Sequence, residues 1–186
     1  LFMVSAAGGQ ARDLTKEFGN EVTDAAWSKD GRAIFFIANM GVHSQLFEMP
    51  AAGGALTRLT ADEGRHEGVL SPDGKRLAVT SSRNDRLPDL WLRDATAGAP
   101  ATRITSSGSD HYSAHRWLRP ETVTIPHPAG GVVWAGLYRP TTPHPKRPAI
   151  VYVHGGGYRQ FANHGWSVYG FSHASHYGMV NWVVQQ

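Results

Sequence analysis

"GVLSPDGKRLAVTS", Gly68–Ser81, decides the fold. Ser71-Pro72-Asp73-Gly74 places Ser at i, Pro at i+1 and Gly at i+3, the residues a type I turn favours. The flanking "HEGVL" and "RLAVT" read as strands, so the stretch predicts a hairpin. The same hairpin stands 43 residues earlier as "AAWSKDGRAIFFIA", Ala25–Ala38, without the proline but with "VTDAAW" and "AIFFIA" as its strands. A second family of segments runs in phase with it. "LFMVSAAGGQARDLT" (Leu1–Thr15), "LFEMPAAGGALTRLT" (Leu46–Thr60) and the weaker "LWLRDATAGAPATRIT" (Leu90–Thr105) are offset by 45 and 44 residues. From them "QLFEM" and "DLWLR" supply third strands, and "ALTRLT" and "ATRIT" fourth strands. A last echo is "HRWLRPE", His115–Glu121, where Trp117 follows Trp27 by 90 residues. Four strands per period of this length make one blade of a β-propeller. A β-sandwich with chance likeness between its hairpins would not repeat four features in phase.

The chain has 186 residues, 41% hydrophobic and 18% charged, with aromatics spread along it. That composition fits a folded globular protein rather than a disordered one. There is no cysteine, hence no disulfide framework and no thiolate metal site. No apolar stretch has the length of a membrane span. The net charge is +3, but Lys and Arg are scattered and matched by nearby acids, as in "TKEFGNE" and "TADEGRHE". Nucleic-acid binding would need a basic cluster or stripe, so neither nucleic acid nor membrane is an expected partner. The opening "LFMVSAAGGQ" reads as the inside of a domain, and "MVNWVVQQ" stops in a helical pattern without a terminating glycine or proline. Both features predict a fragment of a longer polypeptide.

After Glu121 the pattern changes. "TVTIPHPAGGVVWAGLYRP" predicts two strands around Ala129-Gly130-Gly131, and "TTPHPKRP", Thr141–Pro148, is a proline-rich connection. Ala149–Val153, "AIVYV", reads as a buried strand leading into His154-Gly155-Gly156-Gly157. From Gly165 the chain turns helical, with Met179, Val180, Val183 and Val184 on one apolar face. Strand, glycine loop and helix predict the start of an α/β layer. The expected division is therefore 1–119, the last blades of a propeller, and 120–186, the beginning of an α/β-hydrolase domain.

The S-x-D-G blades resemble those of the TolB and prolyl oligopeptidase propellers. Blades, then "PE-x-V-T-I", "L-Y-R-P" and a strand ending in "HGGG", in that order, resemble the prolyl oligopeptidase (S9) family of serine peptidases. The dipeptidyl-aminopeptidase and acylaminoacyl-peptidase-like members are most similar, and "SSRNDRLPDLWL", Ser81–Leu92, resembles their last-blade signature. The resemblance implies hydrolysis of short peptides by Ser-His-Asp acyl transfer, a peptide substrate and no cofactor. It implies an oxyanion loop at His154, Gly155, Gly156 and Gly157, with backbone N–H donors worth about 3–4 kcal/mol each in the transition state. Where prolyl oligopeptidases and dipeptidyl peptidases carry a tyrosine, this chain has His154, so Gly155 or Gly156 is the expected donor. Tyr158 is a weaker candidate for a substrate contact.

The nucleophile of such an enzyme sits at G-x-S-x-G on a strained strand-to-helix turn. "GFSHA" around Ser172 and "GWSVY" around Ser167 both fail the last position and lack a feeding strand. No catalytic residue is therefore assigned within this chain. Serine, aspartate and histidine are expected downstream, the serine about 70–90 residues past the glycine loop. His111/His115 and His173/His176 have helical spacing for a metal pair but no third ligand nearby, so no metal is expected. Two other readings remain: a carboxylesterase, since "HGGG" also marks esterases, and a non-enzymatic TolB-like binding module. Compartment, oligomeric state and P1 preference are not legible.

Overall fold

The turn Ser71–Gly74 closes on itself through its side chains. Ser71 Oγ donates to Asp73 Oδ1 at 2.6 Å, and Asp73 Oδ1 also accepts from Lys75 N at 3.1 Å. Ser71 Oγ accepts from Arg76 N at 2.9 Å, and Gly74 N donates to Ser71 O at 2.9 Å. Ser28, Asp30, Arg32 and Ala33 repeat every one of these side-chain bonds at 2.7, 3.1 and 2.9 Å. Gly31 and Gly74 hold φ of 70° and 74°, which explains glycine at the fourth place. The Ser hydroxyl, followed by the backbone N–H two residues on, holds each Asp carboxyl below the usual carboxylate range.

In this computed structural model residues 1–153, 165–166 and 171–186 are described, 171–176 in backbone only. Each turn starts a blade. The first consists of β3 (Val22–Trp27), β4 (Ala33–Met40), β5 (His43–Pro50) and β6 (Thr57–Arg58). The second consists of β7 (Arg65–Leu70), β8 (Arg76–Arg83), β9 (Arg86–Asp94) and β10 (Ala101–Arg103). Neighbours within a blade are antiparallel, with Phe36 opposite Phe47 in one and Val79 opposite Trp91 in the other. Ahead of them, β1 (Phe2–Met3) pairs with β2 (Arg12–Asp13). The expected fourth strands shrink to two and three residues, because only Thr57–Arg58 and Ala101–Arg103 reach the ladder.

Strand alternation places two cores on opposite faces of the first blade. Ile34, Phe36 and Ala38 of β4 join Phe47 and Met49 of β5, covered by Leu1, Leu14 and Phe18. Phe36 and Phe47 stack with centroids 5.6 Å apart, and Phe18 meets both edge-on. On the other face Ile37, Leu46 and Leu59 pack against Leu77 and Val79 of the second blade. Each fully buried Ile, Leu, Val, Phe or Met among them contributes about 1.5–3 kcal/mol. The polar groups between the blades are paired: Leu46 N donates to Thr60 Oγ1 at 2.9 Å, Thr60 Oγ1 to Gln45 Oε1 at 2.6 Å, and Gln45 Nε2 to the Asp62 carbonyl at 2.9 Å. β5 touches β7 in a parallel pairing at Ser44 and Arg65.

After β10 come α1 (Asp110–Ala114), β11 (Glu121–Pro126), β12 (Val132–Leu137) and α2 (Phe171–Val184). β11 and β12 form the expected ribbon in full register. The expected α/β layer is not seen among the described residues. The "AIVYV" run is not a strand. Ile150 to Val153 are 68–86% exposed, because β11 and β12 pair with each other and no described strand flanks the run. The helix α2 forms where expected but not with the expected face. Met179 is exposed, Val180, Val183 and Val184 are half-buried, and Asn181 is the buried residue. The Trp117 echo does not extend into a strand, since Trp117 turns instead onto Tyr112.

Candidate functional site

The two ends of the blades differ. One end carries the S-x-D-G turns. By strand direction, the turns at Gly41 and Asn84 and the linker at Glu63–Gly64 lie at the other end, and residues beyond 116 dock there. Trp134 packs on Gly41, where an added Cβ would sit 3.4 Å from the indole. Asn84 Nδ2 donates to the Tyr138 hydroxyl at 2.8 Å. Arg119 pairs with Glu63 and lies 3.6 Å from Asp85. Trp166 is buried, its Nε1 donates to Asn84 O at 3.1 Å, and its carbonyl accepts from Ser82 Oγ at 3.1 Å.

Around Trp166 an aromatic cluster forms. Tyr112 and Trp117 lie 4.7 Å apart, Trp117 and Trp166 5.2 Å, and Trp166 and Tyr177 5.4 Å between centroids. α1 presents Tyr112 because Ser109 caps it, accepting from Tyr112 N at 3.1 Å. Asn181 closes the cluster from α2: its Oδ1 accepts from Leu118 N at 2.7 Å and its Nδ2 donates to Tyr177 O at 3.0 Å. A buried amide satisfied on both sides explains why α2 turns this polar residue inward. Burial pushes the Tyr112 phenol up to about 12, and those of Tyr138 and Tyr177 upward too. These hydroxyls stay protonated at neutral pH.

Below the cluster Asp89 is a buried carboxylate. It accepts from Arg103 Nε at 3.0 Å and a second Arg103 nitrogen, from Thr105 Oγ1 at 3.0 Å, and from Ser107 N and Oγ at 2.8 and 3.0 Å. Desolvation works against its charge, but Arg103 and these donors outweigh it and hold the carboxyl below its usual range. The group therefore fastens the 103–107 segment to β9. Two clefts flank the aromatic residues, of about 350 and 400 Å³, sharing Tyr112, His115 and Trp117.

His154, Gly155, Gly156, Gly157, Tyr158 and Ser167 lie outside the described residues. Ser172, His173 and His176 lie on α2, and their side chains are outside the description. His111 is exposed, and His115 stacks edge-on to Trp117 at 4.5 Å. Among the described residues no three His, Cys, Asp or Glu side chains converge on a metal position. No described helix is long and apolar enough to cross a membrane. Trp166, Asn84, Asn181 and Asp89 escape a motif search. The available signal was the "SSRNDRLPDLWL" segment, which contains two of the four.

Three groups of relatives bear on the chain. An uncharacterized protein of Agrobacterium fabrum is 31% identical over 119 residues, 62% of this chain and 38% of that protein. The Tol-Pal system protein TolB of Anaeromyxobacter dehalogenans is 32% identical over 99 residues, 53% of this chain and 22% of its own length. Among solved structures, Porphyromonas gingivalis dipeptidyl peptidase 4 superposes with a TM-score of 0.57 at 15% identity, over 75% of this chain and 20% of that one. The isopeptidase AtxE2 superposes with a TM-score of 0.55 at 18% identity, over 71% of this chain and 20% of that one. At such identities the likeness is one of fold. The chain spans about a fifth to two fifths of the length of these relatives. Residues 1–116 match the model of the TolB beta propeller domain, and with its two in-phase blades the chain belongs to that family.

Proposed function

We propose that the polypeptide carrying this chain is a serine-type peptidase of the prolyl oligopeptidase type. In it these blades support and shield a hydrolase domain, and His154–Gly157 supply the oxyanion donors. The observation that carries this reading is the reach of the structural likeness. The superposition on dipeptidyl peptidase 4 covers 75% of 186 residues, more than the 116 residues of the blade match, so it includes chain beyond the blades. Beyond the blades stands the ribbon of β11 and β12, and the His-Gly-Gly-Gly motif follows it in sequence. Backbone N–H groups of glycines, close to a reacting carbonyl, stabilise the charge that develops on its oxygen. The Trp166 anchor supports a positioning role. It fastens the chain a few residues after the loop to Ser82 and Asn84 of the second blade.

A TolB-like binding module is the second reading, favoured by the blade match and by the TolB relatives. The two part on one experiment. The full-length polypeptide is treated with a fluorophosphonate, which phosphonylates an activated serine with loss of fluoride. One stoichiometric adduct, on a serine outside these 186 residues, is the expected result. No adduct on a folded protein favours the binding module, and an adduct on Ser172 or Ser167 overturns the assignment of the nucleophile.

A further inference from the structure

The cleft of about 400 Å³ beside the aromatic cluster is lined by three arginines, Arg86, Arg103 and Arg116, and by two carboxylates, Asp85 and Asp89. Both carboxylates are already committed. Asp89 is held by Arg103, Thr105 and Ser107. Asp85 takes a bidentate bond from Arg83, at 2.9 and 3.2 Å, and has Arg119 at 3.6 Å. Arg86 is left without a carboxylate among the described residues. Its guanidinium lies over the Trp91 ring at 4.7 Å and donates once to Ser81 Oγ at 3.0 Å, while its buried Nε has no hydrogen-bond partner. Burial disfavours the Arg86 cation and Arg83 and Arg103 add like charge, against the attraction of Asp85 and Asp89 nearby. An arginine stays ionised at any accessible pH, so an anion entering the cleft meets a cation whose neighbouring carboxylates are already engaged by other arginines.

We propose that this cleft binds a carboxylate attached to an apolar group, with Arg86 as its principal counter-ion. A planar carboxylate matches the fork of a guanidinium. Tyr112 and Trp117, which also line the cleft with rings 4.7 Å apart, offer an aromatic surface for the attached apolar part. Exposed Arg116 at the rim adds attraction. The C-terminal carboxylate of a peptide with a bulky last residue has this chemistry. The inference stands whether or not the full-length polypeptide cleaves peptides.

The test is binding to the full-length protein, read by titration calorimetry and by tryptophan fluorescence, which Trp117 and Trp91 should report. N-acetylphenylalanine is the probe, its neutral amide the control, and acetate and inorganic phosphate the further arms. The acid should bind with saturation and the amide about 10- to 100-fold more weakly, the discrimination one charged hydrogen-bonded contact supplies. Arg86→Gln should abolish that preference. Arg116→Gln, at an exposed position, should weaken the acid severalfold without loss of fold, which keeps the proposal testable if the first variant does not fold. Equal binding of acid and amide overturns the proposal. So does a preference that survives Arg86→Gln in a protein with the wild-type melting curve. Acetate or phosphate binding as tightly as N-acetylphenylalanine removes the aromatic wall from the site.

Discussion

At the scale of single residues the S-x-D-G turns were fully legible, because every group they use lies within six positions. Ser71, Asp73 and Gly74 need only one another and the following backbone. The glycine is required by its torsion alone: φ is 74° and a Cβ there would meet nothing within 4 Å. Gly74→Ala should therefore cost about 1–2 kcal/mol, the penalty of a left-handed L-residue. Gly74→Asn should cost less, since asparagine tolerates that region. Urea midpoints of the two variants check this, and an alanine variant as stable as the wild type would contradict it. Asp89 was not legible in the same way. Its partners Arg103, Thr105 and Ser107 come from 14 to 18 residues onward, and only the folded hairpin brings them together. Periodicity names the strand it sits on, not the donors that surround it.

At the scale of elements the close pairing of β7 with β8 sets a sharper requirement. Gly68 has an ordinary φ, yet a Cβ there would lie 2.9 Å from the Ala78 carbonyl oxygen and 2.9 Å from Leu46 Cδ2. Leu46 can rotate aside, but the carbonyl is fixed in the β7–β8 ladder at the Val69–Ala78 pair. Gly68→Ala should destabilise by about 1–3 kcal/mol through overpacking, with an unchanged denaturant slope. An unaltered midpoint would mean that β7 and β8 stand further apart at this pair than described. The long strands β4, β5, β8 and β9 were readable because each runs over eight or nine residues and recurs in phase with its counterpart in the other blade. "AIVYV" misled for the opposite reason. An unbroken apolar run says that a strand would be buried but not which strands would flank it, and no described strand does. The face of α2 misled because one satisfied amide, Asn181, outweighs the valines beside it in choosing the buried side. The glycine motif was legible as a motif, and the anchor that holds the chain after it, Trp166, was not, since its partners stand more than 80 residues earlier.

At the scale of the whole molecule, the joint between blades makes stability depend on pH. His66 is buried, and its Nε2–H donates to the Asp62 carbonyl at 3.0 Å, the same oxygen that takes Gln45 Nε2. Desolvation lowers its pKa from 6.5, against the pull of Asp62 and with the push of Arg86 and Arg93. His43, half-buried across the joint, is lowered by burial too, and its Nδ1 accepts from Gly64 N at 3.1 Å, a bond that protonation there would end. For both, the unfolded chain binds protons that the folded one refuses. The stabilisation they contribute is therefore complete above pH 6.5 and is lost as pH falls from that value through the folded pKa values. The melting temperature should fall between about pH 7 and pH 5, before ordinary carboxylates titrate. Asp89, also depressed, adds a second loss only below its unfolded value of 3.8. His66→Gln keeps a donor for the Asp62 carbonyl and removes one of the two titrations, so it should reduce the fall across the upper window, leaving the share of His43, and should leave the lower window in place. Melting curves of the wild type and this variant across the two windows check the argument. A wild-type melting temperature that is flat or rises from pH 7 to 5 would show that these histidines are protonated in the fold and that the joint is open to water.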